Sequence, residues 1–195
     1  PYFGPCSGCQ WQHIEYRHQL KLKRDAVVRD MKRYPELLDV AVRSTLPGPE
    51  QFGYRNHARF TVRQQGSLGF NNRITRRFVK LDKCLLMDCQ INEVLADLQD
   101  KCGETTNLSV RVGVNTSEYL IQPTLQTAKT SLMTGQTYYK ERLLDRVFRV
   151  SSPSFFQVNT AQTEIMGKKV REALELSGNQ TVIDAYAGVG TFTVF

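Results

Sequence analysis

The chain has 195 residues and a formal charge of +7, from 26 Lys plus Arg against 19 Asp plus Glu. Hydrophobic residues reach 41%, charged residues 23% and aromatics 10%, which excludes a disordered chain and leaves room for one or two domains with a real core. No apolar run approaches the roughly 20 residues of a bilayer span and no secretion signal opens the sequence, so the expectation is a cytoplasmic protein whose five cysteines are reduced.

The opening, Pro1-Tyr-Phe-Gly-Pro-Cys6-Ser-Gly-Cys9, reads as a loop. Ile14 to Tyr34 reads as a helix, with Tyr16, Leu20, Val27, Met31 and Tyr34 on one face and Arg17, Lys21, Arg24 and Lys32 on the other. Pro35 and Pro47-Gly-Pro49 punctuate its exit. Alternation over Ala58–Arg63 predicts a strand with arginines on its polar side, and Gly66–Phe70 and Arg77–Leu81 predict its partners in an antiparallel meander. A short amphipathic helix follows over Ile91–Lys101, with Cys102 at its end as a plain core or surface thiol. Strands are then predicted at Leu108–Val114, Glu118–Gln122, Gln136–Glu141 and Arg146–Val150, an α+β unit dominated by an antiparallel sheet. Near Ser151 the pattern changes. A helix is predicted over Thr160–Leu176, with Asn159 as N-cap, Gln162 as its capping-box partner and Gly178 at its end. A buried strand, Thr181–Asp184, is predicted to enter the turn Gly188-Val-Gly190 and then the start of a further helix, which the chain reaches before it stops at Phe195.

Charge is concentrated. Between Tyr54 and Lys83 lie Arg55, Arg59, Arg63, Arg73, Arg76, Arg77, Lys80 and Lys83 against Asp82 alone, so this stretch carries the whole +7 excess, and His57 could add to it. Arginine suits bidentate phosphate contacts, and the interleaved Tyr54, Phe60, Phe70 and Phe78 suit unstacked bases, so the stretch points to RNA. A solvated sheet face is the plain alternative, though like charges on neighbouring strands would repel there.

Two constellations carry chemistry. An acidic strand end followed by Gly-x-Gly, with Thr193 where a dinucleotide site wants a third glycine, fits S-adenosylmethionine better than NAD. Cys6 and Cys9 form Cys-x-x-Cys, and Cys84 and Cys89 form a second close pair. Four thiolates could close a zinc site, and three with a further ligand could hold an iron–sulfur cluster; spacing leaves both open. His13 and His18 are assigned no ligand role. A doubly wound domain needs several βα units, so the chain is expected to be a piece of a longer enzyme.

Three stretches then become recognisable together: Pro1 to His13 with its two cysteines, Gly53-Tyr-Arg-Asn-His-Ala-Arg-Phe60 leading to Cys84, and Ser154-Phe-Phe-Gln-Val-Asn159 ahead of Asp184-Ala-Tyr-Ala-Gly-Val-Gly-Thr191. The chain resembles the S-adenosylmethionine-dependent RNA uridine-5 methyltransferases, in their iron–sulfur-containing branch, which act on ribosomal or transfer RNA. The resemblance implies an α+β central iron–sulfur and RNA-binding domain over 1–153, with a helical stretch about 12–43 docked on the catalytic domain. Residues 154–195 would be the truncated start of an α/β Rossmann-like methyltransferase domain. It implies Cys6, Cys9 and Cys84 as ligands of a 4Fe-4S cluster, with the first ligand lying before Pro1 and no role for Cys89. It implies Gln157, Tyr186, Gly188, Gly190 and Thr191 at S-adenosylmethionine, Phe155 stacked on the target uracil, and Arg55 and Arg59 on the RNA backbone. Thr191 stands where asparagine is common and Ala187 where cysteine is frequent. The family's catalytic cysteine, whose thiolate adds to C6 of uracil, and its base are expected downstream of Phe195. No catalytic residue is therefore assigned within the sequence, and this piece is expected to be an inactive part of a monomeric enzyme. A zinc-stabilised RNA-binding module without catalysis is the alternative.

Overall fold

The computed structural model describes residues 2–195, the side chain of Gln64 excepted. Five short strands form one antiparallel sheet in the order β3-β2-β1-β4-β5: β1 is His57–Arg63, β2 Ser67–Asn71, β3 Phe78–Lys80, β4 Asn107–Val112 and β5 Tyr119–Gln122. The predicted alternation sets the register. Ala58 lies opposite Val110 and Phe60 opposite Leu108, so the apolar sets of β1 and β4 share a face. The helix α2 (Cys89–Leu98) covers that face with Ile91, Val94, Leu95 and Leu98, all buried, and Asp88 caps it by accepting from the Gln90 N–H at 2.8 Å. Each such side chain contributes about 1.5–3 kcal/mol by leaving water. Gly69 has no alternative: a Cβ there would stand 2.1 Å from the Val79 carbonyl oxygen, so any side chain would push β3 off β2.

A hairpin of β6 (Tyr138–Leu143) and β7 (Arg146–Ser151) forms a second sheet. Its inward side chains, Tyr139, Leu143, Phe148 and Val150, make a separate apolar cluster with Leu120 and Phe156. Helix α1 (Tyr16–Met31) is shorter than the predicted Ile14–Tyr34 and buries no residue. The expected apolar stripe is therefore corrected: Val27 and Tyr34 are exposed, because no core of the described residues faces them. Instead α1 is strapped by its own return segment, where Thr45 Oγ1 donates to the Leu20 carbonyl at 3.0 Å and the Gly48 N–H donates to the Tyr16 hydroxyl at 2.7 Å.

The C-terminal stretch departs furthest from expectation. Helix α3 (Thr160–Leu174) is capped by Asn159, which accepts from the Gln162 N–H at 3.0 Å, but the reciprocal half of the capping box is missing: the buried Gln162 Oε1 has no partner. The helix ends at Glu175, left-handed at φ 46°, ahead of Gly178. Thr181–Asp184 is not a strand; it is exposed and irregular, and residues 185–194 form turns in place of a helix. A strand must give its N–H and C=O groups to a neighbour, and none of the described residues pairs with this segment. Phe195, expected in the first turns of that helix, is corrected with it. Its ring is half-buried and meets Phe148 edge-on at 6.1 Å between centroids, so the residue serves as an apolar plug against the hairpin. Gly167 on α3 leaves room for this ring, since a Cβ there would stand 2.6 Å from it. No helix of the described residues is long and apolar enough to cross a membrane.

Candidate functional site

The N-terminal loop is fastened to the β2–β3 side of the sheet through polar contacts. Tyr2 donates its hydroxyl hydrogen to Asp82 at 2.6 Å, Asn72 Nδ2 donates to the Pro5 carbonyl at 2.8 Å, and the Arg73 N–H donates to Ser7 Oγ at 2.8 Å. Cys84 is clasped by α2: its N–H donates to Asn92 Oδ1 at 2.8 Å, and Asn92 Nδ2 returns a bond to its carbonyl at 3.1 Å. These contacts place Cys6, Cys9 and Cys84 on the wall of one cleft of about 610 Å³, beside Arg55 and Arg59. Burial, with Cys84 and Cys6 nearby, pushes the Cys9 thiol up. The expected trio is thus gathered but not closed: among the described residues no three His, Cys, Asp or Glu side chains converge as a metal-holding group. Cys6 and Cys9 sit in the N-terminal loop and Cys84 on the connection before α2. The soft donor set still suits iron–sulfur or zinc better than a hard cation. Cys89 is exposed at the start of α2, and Cys102 is core, its thiol pushed up to about 11 by burial.

The arginine-bearing strand is welded to the segment before α3 at one residue that charge counting passes over. Asn56 is 2% exposed. Its N–H donates to the Val158 carbonyl at 2.9 Å, and its Nδ2 donates to the Gln157 carbonyl and to Thr160 Oγ1, each at 3.0 Å. Thr160 Oγ1 donates onward at 2.9 Å to Glu141 Oε2 on β6. Glu141 is fully buried and also accepts from the Val114, Asn115 and Arg142 N–H groups at 2.8–3.0 Å. Burial pushes its carboxyl up more than these donors pull it down. Arg111 on β4 is buried, and its Nη1 donates to the Ser154 carbonyl at 2.7 Å. Asn56, Glu141, Thr160 and Arg111 were all missed at the level of sequence; the inward place of Glu141 between Tyr139 and Leu143 was the one available signal.

This framework fixes Phe155 and Gln157 next to the sheet. Phe155 is 75% exposed and its neighbour Phe156 is buried, so the segment anchors one ring and presents the other. Arg55 and Arg59 are exposed; Arg55 Nε donates to the His57 carbonyl at 2.9 Å. His57 adds no charge to the surface. Burial, with Arg111, Arg55 and Arg59 close by, pushes its imidazole from 6.5 down to about 4. A folded value below the unfolded one means that its contribution to stability is present above pH 6.5 and is lost as pH falls through about 4. A proton NMR titration is expected to find His57 neutral at roughly pH 5.5, where an unperturbed histidine is mostly charged; a midpoint in the ordinary range overturns this.

The glycine turn meets the conformational demand but lacks its strand. Gly188 and Gly190 adopt φ of +58° and +79°, and Asp184 accepts from Thr193 Oγ1 at 2.6 Å. Thr191 is buried, Tyr186 is 97% exposed, and Val189 and Phe195 pack against the cluster that contains Phe156. The turn therefore lies against the same hairpin core that anchors the Phe155 segment.

No family model matches the chain. It is 27% identical over 244 residues to a protein of Synechocystis sp. named an uncharacterized RNA methyltransferase, which covers 97% of this chain and 53% of that relative. A protein of the same description from Halalkalibacterium halodurans is 27% identical over 249 residues, covering all of this chain and 54% of the relative. The chain thus spans about half the length of the curated relatives it matches. Among solved structures, the crystal structure of Pyrococcus abyssi tRNA (uracil-54, C5)-methyltransferase in complex with S-adenosyl-L-homocysteine superposes with a TM-score of 0.74 at 22% identity, over 97% of this chain and 55% of that one. At that identity the likeness establishes a shared fold.

Proposed function

We propose that the chain, a relative of the RNA methyltransferases along its whole length, is part of an S-adenosylmethionine-dependent enzyme that methylates C5 of a uridine in ribosomal or transfer RNA. The observation that supports this reading is the Asn56 joint, which bonds the stretch carrying Arg55 and Arg59 to the Gln157–Thr160 segment that follows the exposed Phe155. Arginines at the strand would take the phosphates, and Phe155 would stack on a uracil extruded from its neighbours. Gln157, Tyr186, Gly188, Gly190 and Thr191 would hold S-adenosylmethionine, whose sulfonium supplies the methyl group. The residues 1–153 would form the RNA-binding and cluster-bearing unit and 154–195 the beginning of the cofactor-binding one. Cys6, Cys9 and Cys84 would hold a 4Fe-4S cluster in the cleft that they line. We assign the nucleophile's role to none of the five cysteines; Cys102, core and with its thiol raised by burial, is the wrong environment for a thiolate. The nucleophile and the base would both lie beyond Phe195 in the whole protein.

The whole protein, incubated with methyl-labelled S-adenosylmethionine and uridine-containing ribosomal or transfer RNA, is expected to yield 5-methyluridine. Phe155→Ala should lower the rate roughly ten- to a hundredfold, the loss expected for one base–aromatic stack. Absence of label from both RNAs, or label at another position, overturns the reading.

A further inference from the structure

The β6–β7 hairpin sorts its charges by face. In sequence it carries Lys140, Arg142, Arg146 and Arg149 against Glu141 and Asp145, a modest excess. Folded, Glu141 points inward and is fully buried, and Asp145 sits in the turn 3.8 Å from Arg146. The cross-strand register pairs Lys140 with Arg149 and Arg142 with Val147, which leaves Tyr138, Lys140, Arg142, Val147 and Arg149 exposed on one face. Two cations placed directly opposite each other destabilise a hairpin. Glu118 relieves Lys140 at 3.7 Å, an exposed and therefore weak pair, and among the described residues no carboxylate lies within salt-bridge distance of Arg142 or Arg149. Arg149 lies 3.7 Å over the Tyr138 ring, which holds its guanidinium flat while its N–H edges stay free.

We propose that this hairpin face is a second phosphate-contacting surface for RNA, separate from the cleft of Arg55 and Arg59. The proposal rests on the RNA reading above and extends it to a surface on another sheet. Lys140 and Arg142, two residues apart along one strand, stand about 6.8 Å from each other, a spacing that suits successive phosphates of an extended strand. The surface is also tethered close to the proposed base platform: β7 ends at Ser151 and Phe155 follows four residues later, a reach of at most about 14 Å along the chain. RNA whose base rests on Phe155 has the hairpin within reach of its flanking nucleotides. An acidic protein would also meet cations, but the ordered, bidentate presentation of Arg149 beside an aromatic ring favours phosphate.

The test measures binding of fluorescent oligouridine to the whole protein as a function of salt. It compares the unaltered protein with Lys140→Ala/Arg142→Ala/Arg149→Ala, with the charge-preserving Lys140→Arg/Arg142→Lys/Arg149→Lys, and with Arg55→Ala/Arg59→Ala. Removing three single-strand phosphate contacts should flatten the slope of log affinity against log salt by about 2, while the charge-preserving variant keeps it. Affinity at low salt should fall about tenfold or more in the alanine variant. A full slope in that variant, with loss confined to Arg55→Ala/Arg59→Ala, overturns the hairpin proposal and leaves the RNA reading standing. No RNA binding by the unaltered protein overturns both. Equal binding of polyglutamate, lost in the same variant, makes an acidic protein the partner and also overturns the proposal.

Discussion

Replacing Glu141 with Leu is expected to destabilise the chain by about 3–5 kcal/mol, the largest effect of any single change outside the apolar core. Four donors converge on this carboxylate: three backbone N–H groups, of Val114, Asn115 and Arg142, and the Thr160 hydroxyl. Leucine is close in volume, so packing survives, but it accepts nothing, and each buried donor left unpaired costs about 1–3 kcal/mol. The losses do not simply add, because removing a desolvated carboxylate returns part of its own burial cost. The pH dependence has a definite sign. Burial holds the folded value above the ordinary 4.5, so the advantage over the Leu variant is complete below about that pH and declines as pH rises through the folded value. Urea unfolding midpoints at two pH values check both claims; a loss below about 1 kcal/mol would sink the first. Thr160 loses its acceptor in the same variant, and with it goes part of the hold of α3 on Asn56.

The proposed cluster predicts that Cys84→Ser strips the whole protein of iron and acid-labile sulfide under anaerobic purification, while Cys89→Ser leaves both unchanged. Serine offers a hard oxygen where iron–sulfur chemistry needs a thiolate. Position 84 is the sensitive one because Asn92 grips both its N–H and its carbonyl, so the loop cannot slide to bring another donor forward. Cys89 lies on the first turn of α2, exposed, and does not line the cleft of Cys6, Cys9 and Cys84. Elemental analysis decides between readings: iron with sulfide supports the cluster, whereas stoichiometric zinc in colourless protein would replace it with the zinc-bound module.

What was readable in the sequence follows from how local each interaction is. Period-two alternation in Ala58-Arg-Phe60-Thr-Val62 and in Leu108-Ser-Val110-Arg-Val112 located β1 and β4 and their shared apolar face, because burial on one side of a sheet writes itself into adjacent residues. The arginine density around Arg55 and Arg59 was equally plain, since those charges are uncompensated along the chain. The hairpin's basic face was not, because Glu141 cancels a cation in the count and is withdrawn only by folding. Asn56 and Arg111 escaped notice for a related reason: their partners lie at Gln157, Thr160 and Ser154, far along the chain. At Thr181–Asp184 the local pattern was that of a buried strand, but a strand is a property of its neighbours, and the described residues supply none. Phe195 obeys the same rule, because the ring it meets belongs to Phe148, a strand residue distant in sequence.

The bonds of Asn56 have a temporal side. They span 101 and 104 residues of chain, and closing so long a loop is entropically unfavourable until contacts along the way have shortened it. The β1–β4 ladder and the hairpin close shorter loops, so they are expected to assemble first and the Asn56 joint last. During synthesis from the N-terminus, Asn56 cannot join its partners until Gln157 and Thr160 have left the ribosome, so the RNA grip proposed above would belong to the chain only after both are made.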